Sequence, residues 1–596
     1  MQRLPSANPK SAGPKASAQK AKNTKQTLRR LWYYLSYYKG RLFLGFVLMM
    51  IATGLSLVGP FLIGQMIDSM AYGVDFNRVF LYAGLLSVFY IVSAILNYFL
   101  SIAMVKIAQS VVYKLRQDLF NKLTKVKVGF YDQNQTGDII SRMSYDIDTI
   151  STSLAADLMS FITAIITLVV SFIMMLLMSP ILVLVFLVTI PLTFIVTRIL
   201  SKIIRKKIRV RNQQLGQLNG YAEEMITAQK TIQSYVQEEA IFQKFKQHNE
   251  DAANKSYQSG YYSTIVGPTT NFINNFSTVL VGTVGGILMV FGMLALGPLA
   301  AFMLYSKRFS GPINQMSNLV ADIQSALAAA ERVFIVLDQE DEITPISEVL
   351  TTGIEDANIS FDQVSFGYNQ DKIILDNVSF NANKGQVIAI VGHTGAGKTT
   401  LVNLLMRFYN VNQGSINLDN ANIDLYDAKY YRSQFTMVLQ DTWLFKGTIL
   451  ENIKYGIPDA TFEEVKQAAK KARIHHYIKG LAKGYDTLIS DDGINVSKGQ
   501  KQLLIIARAM LSKAKILILD EATSNVDTYT EIAVQEAMKE LMTNKTCFVI
   551  AHRLSTIKNA DLILLMEHGN IIEQGTHQSL MNKNGAYYRL FMSQFD

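Results

Sequence analysis

Six apolar stretches constrain this chain more than any other feature, because each is close to the roughly 20 residues that cross a bilayer as a helix. All six lie in the first 316 of the 596 residues. Charged residues make up 17% of the chain, which is low for a soluble protein and fits a chain that is half embedded in membrane. We place the spans at 42–67, 79–105, 157–178, 181–200, 264–291 and 294–316.

The distribution of basic residues predicts the orientation of these spans. Residues 1–41 contain ten Lys or Arg and no acidic residue, and the two long loops, 106–156 and 201–262, are also basic. The positive-inside rule therefore puts the N-terminus, both long loops and the C-terminal half in the cytoplasm. The basic tail is either that topology signal or a segment attracted to anionic lipid. Nucleic acid is not an expected partner, because the basic excess flanks the membrane.

The long loops lack strand alternation, which predicts that they extend the spans as helices beyond the membrane. Turn-like points near 134–137 and at Gly220 are expected to interrupt them. Lys307 and Arg308 interrupt the last apolar stretch, where they either mark its cytoplasmic end or face a wet cavity.

A phosphate-binding loop opens at residue 392, after a short apolar run that predicts a buried strand. Its sequence, Gly-His-Thr-Gly-Ala-Gly-Lys-Thr, is a full match to G-x-x-x-x-G-K-[ST]. Such a loop aims backbone N–H groups at phosphate oxygens, its lysine supplies positive charge, and its hydroxyl binds Mg²⁺. The predicted ATP-binding residues of this loop are Gly392, Thr394, Gly395, Ala396, Gly397, Lys398, Thr399 and Thr400, with Thr399 also a Mg²⁺ ligand.

A second apolar run, 516–519, is followed by two carboxylates, Asp520 and Glu521. Buried charge is costly unless it has a use, so we expect Asp520 to bind Mg²⁺ and Glu521 to act as general base towards water. Short apolar runs that alternate with helical patterns from about residue 357 predict an α/β domain.

Together these motifs resemble the nucleotide-binding domain of ATP-binding cassette (ABC) transporters, and the whole chain is similar to an exporter half-transporter of the multidrug type. The resemblance implies that Tyr368 stacks on adenine, that Gln440 senses Mg²⁺, that His552 contacts the γ-phosphate as a second catalytic residue, and that the loop with Asp527 reaches a facing cassette. It also implies a signature, Leu-Ser-Gly-Gly-Gln, that contacts nucleotide on the facing cassette; its ATP-contacting residues here are Ser497, Gly499 and Gln500.

The signature departs from the family pattern at one position, where Lys498 replaces a glycine. A side chain there obstructs the close approach of a phosphate. A homodimer would carry two impaired sites, whereas a heterodimer would combine one consensus and one degenerate site. We therefore expect a second half-transporter as partner; the alternative is a homodimer that tolerates Lys498.

The expected fold is an α-helical membrane domain of six transmembrane helices followed by an α/β P-loop NTPase cassette. Its divisions are a disordered basic tail (1–30), a transmembrane domain with cytoplasmic helical extensions (31–325), a linker (326–352) and a nucleotide-binding domain (353–596). The expected function is ATP- and Mg²⁺-dependent export of amphipathic drugs or other hydrophobic small molecules across the bilayer of an inner or plasma membrane. Lipid or peptide export shares this architecture, and a non-transporting ATPase sensor is the rival from another class.

Overall fold

The structure, a computed structural model, describes residues 23–71, 73–342, 349–369, 372–439, 443–489, 496–520, 528–551 and 554–593. Its first half is helical. The helices are α1 (Thr24–Ser36), α2 (Lys39–Ala71), α3 (Phe76–Leu123), α4 (Val128–Gln133), α5 (Thr136–Ser141), α6 (Ile147–Thr152), α7 (Leu158–Met178), α8 (Pro180–Thr227), α9 (Gln229–Ser234), α10 (Glu238–Val290) and α11 (Leu296–Leu337). Single turns of π-helix join α5, α6 and α7, so the chain is helical from Thr136 to Met178.

Four helical segments among the described residues are long and apolar enough to cross a membrane. They are Lys39–Ala71, Phe76–Leu123, Thr136–Met178 and Glu238–Val290. The predicted spans 181–200 and 294–316 lie in the long helices α8 and α11, which are not among the four. A helical membrane domain is therefore confirmed, and the number six stays a prediction.

The helical extensions are confirmed, because α8 continues to Thr227 and α10 begins at Glu238. The predicted turn near 134–137 is also confirmed, since α4 ends at Gln133 and α5 begins at Thr136. The turn predicted at Gly220 is wrong, because that residue lies inside α8. A glycine costs a helix interior only about 1 kcal/mol, and packing along α10 offsets this cost. The chain reverses instead around Val236, which has a φ of +53°.

The chain divides into two compact units. One comprises the described residues up to Val126 together with Asn134–Glu340, and the other comprises Lys127–Gln133 together with the described residues from Asp341 onwards. Helix α4 therefore belongs to the second unit. Helix α11 continues through the first part of segment 326–352, where a linker was expected, and α1 begins inside segment 1–30. Residues 1–22 lie outside the described residues, and the domain limits stay a prediction.

The second unit is an α/β domain, as predicted. Its strands are β1 (Ile359–Phe366), β2 (Leu375–Ala382), β3 (Val387–Gly392), β4 (Gln413–Leu418), β5 (Ala421–Asn422), β6 (Phe435–Val438), β7 (Gly447–Thr448), β8 (Leu488–Ile489), β9 (Ile516–Asp520), β10 (Thr546–Ile550), β11 (Leu562–Glu567) and β12 (Asn570–Gly575). Its helices are α12 (Lys398–Leu405), α13 (Ala428–Ser433), α14 (Ile449–Lys454), α15 (Phe462–Lys471), α16 (His475–Gly480), α17 (Lys498–Leu511), α18 (Thr528–Met542), α19 (Leu554–Lys558), α20 (His577–Asn582) and α21 (Ala586–Met592).

The main sheet of this unit has the strand order β12-β11-β3-β10-β9-β6, and only the β11–β12 pair is antiparallel. Ile388 and Ile390 of β3 face one apolar core, while Ala389 and Val391 face the other. Burial on both faces explains why the central strands have unbroken apolar sequences. The parallel arrangement brings the carboxyl ends of β3, β10 and β9 to one edge, where the predicted site residues begin.

Candidate functional site

The phosphate-binding loop follows β3 directly and owes its path to three glycines. Gly392 has a φ of +154°, and a Cβ at this position would lie 2.3 Å from the carbonyl oxygen of Met566 on the paired strand β11. Gly395 and Gly397 have φ values of +86° and +102°, a region that favours glycine. A Cβ at Gly395 would meet no atom within 4 Å, so this side of the loop is open. The backbone therefore forms an accessible cradle.

Lys398 is the first residue of α12, and its side chain extends back over this loop. Its side chain is buried, and Nζ donates hydrogen bonds to the carbonyl oxygens of Gly392 (2.7 Å) and His393 (3.1 Å). Burial lowers the pKa of the ammonium group, and the negative charge of Asp520 opposes this shift. A lysine ammonium has three donors, so the third is available to a phosphate oxygen.

The remaining predicted residues of the loop differ in what they present. The backbone N–H of Ala396 donates to the His393 carbonyl oxygen (3.1 Å), so that donor serves the loop itself. Thr394 and Thr399 are exposed, which leaves the Thr399 hydroxyl accessible at the start of α12. Thr400 is buried.

Asp520 is the last residue of β9, and strand register brings it to the same edge as the loop. Asp520 pairs with Ile550 of β10, and Ile550 pairs with Ile390 of β3. Two strand spacings, about 9.5 Å, therefore separate Asp520 from Ile390, two residues before β3 ends. The carboxylate is close enough for its charge to act on Lys398.

Tyr368 lies in a small aromatic cluster beside α12. Its hydroxyl donates to Thr400 Oγ1 (3.2 Å) and accepts from Asn403 Nδ2 (3.2 Å), so α12 fixes its orientation. The rings of Tyr368 and Tyr409 meet edge to face at 4.9 Å. Tyr368 remains 41% exposed, which leaves ring surface for a planar ligand.

Tyr409 also contacts α4, a contact that sequence reasoning missed. The Tyr409 hydroxyl donates to the Asp132 carboxylate, 277 residues away in the chain. Burial and this hydrogen bond raise the pKa of the tyrosine. Gly129 packs against the same ring, where a Cβ would lie 3.0 Å from a ring carbon. The only signal in the sequence was an aromatic residue four positions after α12 ends, which is too common to interpret.

The signature stretch begins helix α17. Ser497 caps this helix in a capping box: its hydroxyl accepts from the Gln500 N–H (3.2 Å), and the Ser497 N–H donates to Gln500 Oε1 (2.9 Å). Lys498 is the first helical residue and is exposed, whereas Gly499 is buried. Lys498 does not have a positive φ, so the helix accepts this side chain without backbone strain.

Four predicted site residues, Gln440, Glu521, Asp527 and His552, lie outside the described residues. Their roles stay predictions.

The described residues fit a nucleoside triphosphate and its Mg²⁺. The open cradle, the unused donor of Lys398 and the exposed Thr399 hydroxyl suit phosphate, and Mg²⁺ needs few protein ligands because it retains water and phosphate oxygens. Asp520 supplies a carboxylate at the same edge of the sheet.

Comparison with known proteins gives matches over both halves of the chain. Residues 42–313 match the model of the ABC transporter transmembrane region, and residues 375–524 match the model of the ABC transporter family. An uncharacterized ABC transporter ATP-binding protein of Bacillus subtilis is 39% identical over 98% of this chain and 97% of its own length. A protein of Mycobacterium bovis named fatty acid ABC transporter ATP-binding/permease protein is 38% identical over 87% and 82%.

A solved structure of a bacterial Atm1-family ABC exporter with ATP bound has a TM-score of 0.76 and 26% identity, covering 93% of this chain and 98% of its own. The fold and the sequence matches thus agree over nearly the whole length. The chain belongs to the ABC transporter family, as an exporter with a membrane-spanning region and an ATP-binding cassette that uses ATP and Mg²⁺ to drive transport.

Proposed function

We propose that this chain is one half of a heterodimeric exporter that moves amphipathic drugs or other hydrophobic small molecules out of the cell by alternating access. The observation that carries the heterodimer is Lys498, an exposed side chain at the first residue of α17. In this family the signature helix of one cassette faces nucleotide on the other. Lys498 would crowd that nucleotide in both sites of a homodimer, but in only one site of a heterodimer.

The proposed roles of the described site residues are supported by their positions, and those of Gln440, Glu521, Asp527 and His552 by the resemblance to the family. The backbone at 392–399 and Lys398 bind the phosphates, while Thr399 and Asp520 hold Mg²⁺ with Gln440. Tyr368 stacks on adenine, Glu521 activates water, and His552 contacts the γ-phosphate. Hydrolysis of ATP supplies the free energy of each cycle, and Mg²⁺ neutralises phosphate charge. The nucleotide bound to the partner is contacted by Ser497, Gly499, Gln500 and the loop with Asp527.

The membrane half has six spans in this proposal, with the N-terminus and the cassette on the cytoplasmic side of the plasma membrane. Four helical segments of suitable length and composition support this count, as do the long helices α8 and α11 that contain the other two predicted spans. An even number of spans returns the cassette to the side of the N-terminus. The domain limits are those expected from the sequence, 31–325 and 353–596.

A cavity of about 530 Å³ between α3, the α5–α7 segment and α11 supports the substrate class. Its described lining residues include no charged side chain and combine aliphatic residues with polar ones, including Asn97, Ser101, Thr163 and Gln315. Such a surface suits molecules with apolar bodies and a few hydrogen-bonding groups. Lipid export is the second candidate, and the fatty acid transporter name of the Mycobacterium bovis relative favours it. Peptide export shares the architecture.

Affinity isolation of the chain from its native membrane, followed by mass analysis, tests the heterodimer. We expect a second half-transporter with an intact signature and without the catalytic glutamate. Recovery of this chain alone as a dimer would mean that Lys498 is tolerated, and the proposal of two unequal sites would be wrong.

ATP-dependent uptake into everted vesicles separates an exporter from an ATPase sensor. We expect accumulation of an amphipathic dye that requires ATP and stops with Glu521→Gln. ATP hydrolysis without any transport would favour the sensor.

A further inference from the structure

Arg308 is a cation held near the middle of the membrane bundle. Its Nη1 donates to Ser56 O and to Ser56 Oγ, both at 2.9 Å, and its Nη2 donates to the Tyr90 hydroxyl at 3.2 Å. Ser56 lies near the middle of α2, and Tyr90 lies 14 residues, about 21 Å, into α3. Both helices are among those suited to cross a membrane. Arg308 therefore does not mark a cytoplasmic end of its helix, which continues to Leu337.

The carbonyl that Arg308 binds is one that the helix itself cannot satisfy. Pro60 lies inside α2 and has no N–H, so the carbonyl of Ser56, four residues earlier, loses its usual helical donor. Arg308 supplies the missing donor, and Tyr305, three residues earlier on α11, donates to the next carbonyl, Leu57 O, at 2.6 Å. These bonds explain why polar side chains of α11 approach α2 in the middle of the bundle.

Carbonyl satisfaction does not require a charge, as Tyr305 demonstrates with a neutral hydroxyl. In the part of the chain that the structure describes, Arg308 contacts only neutral oxygens and has no carboxylate partner. Among the described residues, its Nε–H and one Nη2–H have no hydrogen-bond acceptor. A guanidinium at this depth is costly unless a counter-charge compensates it, and its remaining donors suit a carboxylate or a phosphate.

Arg308 also shares a helix face with the neutral cavity. Pro312 and Gln315, which line the cavity, follow Arg308 by four and seven residues and lie on the same face of α11. Asn97, another lining residue, follows Tyr90 by seven residues on α3. The backbone of Arg308 therefore lies about 6–10 Å along the helix axis from the lining residues Pro312 and Gln315.

We propose that Arg308 receives the anionic head group of the transported molecule, so that the preferred substrates are amphiphiles with a carboxylate or phosphate head. This inference rests on the proposed export function and names its substrate class. The apolar body would occupy the neutral cavity, and the head group would provide the counter-charge that the described protein residues do not.

The test uses the exporter isolated from its native membrane with whatever subunit accompanies it, reconstituted in proteoliposomes. Four fluorescent probes share one nitrobenzoxadiazole-labelled dodecyl chain and differ in the head: carboxylate, phosphate, alcohol or amine. We expect ATP-dependent transport of the anionic probes with a KM at least tenfold below that of the alcohol probe. Comparison of the carboxylate probe with the phosphate probe identifies the preferred head group. Arg308→Gln should remove this preference, and Arg308→Lys should restore part of it.

Two variants control for charge and for packing. Lys307→Gln removes the same charge from an exposed neighbour and should leave the head-group preference within about twofold of the original. Tyr305→Phe removes a hydrogen bond to the α2 carbonyls without a change of charge, so it should lower stability but keep the preference.

Comparable or better transport of the amine by the unaltered protein would overturn the inference while leaving the export function intact, and this result needs no variant. An unchanged preference in a folded Arg308→Gln protein would also overturn it. If none of the four probes moves with ATP, the proposed export of amphiphiles is itself wrong, and the inference falls with it.

Discussion

Two glycines of the phosphate-binding loop should respond differently to the same substitution. Gly392→Ala places a methyl group 2.3 Å from a backbone oxygen of β11, which cannot rotate away. Gly395→Ala places its methyl group in open space. Both positions have positive φ, so both substitutions add backbone strain, but only the first adds a collision inside the sheet.

The geometry gives a magnitude for each change. Positive φ costs a non-glycine residue about 1–2 kcal/mol, which is the whole expected loss for Gly395→Ala. Gly392→Ala must also displace β3 from β11, and such overpacking adds about 1–3 kcal/mol. ATP affinity should follow a different order. The methyl group of Gly395→Ala occupies the space over the cradle, so we expect ATP binding to weaken by about tenfold or more in a protein that remains folded.

Thermal unfolding midpoints of the full-length protein in detergent rank the stabilities, and equilibrium binding of a fluorescent ATP analogue gives the affinities. We expect Gly392→Ala to have the lower midpoint. Because two units can unfold separately, the midpoints are compared only between variants. Equal midpoints, or normal nucleotide affinity in Gly395→Ala, would refute the assignment of one glycine to sheet packing and the other to the ligand.

Three further predictions concern single residues. Glu521→Gln should retain ATP binding but lose ATP hydrolysis and transport; normal turnover in an ATPase assay would exclude Glu521 as the general base. Lys498→Gly should leave the ATPase rate of a heterodimer nearly unchanged, because the partner that we propose has no catalytic acid in the facing site. A rise of about tenfold would favour a homodimer with two repaired sites. Burial raises the pKa of the Cys547 thiol to about 12, so this single cysteine should resist iodoacetamide at pH 8 until the protein unfolds. Rapid labelling of the native protein would contradict the position of Cys547 in β10.

Local sequence patterns were sufficient for the centre of the cassette. The apolar runs before Gly392 and Asp520 predicted two strands, and the structure has β3 and β9 there. These predictions succeeded because both faces of each strand are buried, so the signal is continuous and short. The P-loop motif likewise fixes a local backbone path, and the glycines adopt the conformations that this path requires.

Features that depend on distant partners could not be predicted in the same way. Gly220 has the residue type of a turn, yet the neighbouring helix keeps it helical. The two alternatives for Arg308 could be separated only after Ser56 and Tyr90, more than 200 residues earlier, were found beside it. The role of Tyr409 required a partner 277 residues away. Such pairings have no periodic signal along the chain.

The pairing of Tyr409 with Asp132 has a consequence for how the protein is made. At a synthesis rate of 5–20 residues per second, Asp132 leaves the ribosome about 14–55 s before Tyr409. Helix α4 therefore lacks its contact with Tyr409 while the remaining membrane helices are inserted. During this interval residues 127–133 are open to proteases. The cassette is the last part to be synthesised, yet the fold that it completes includes this segment from early in translation.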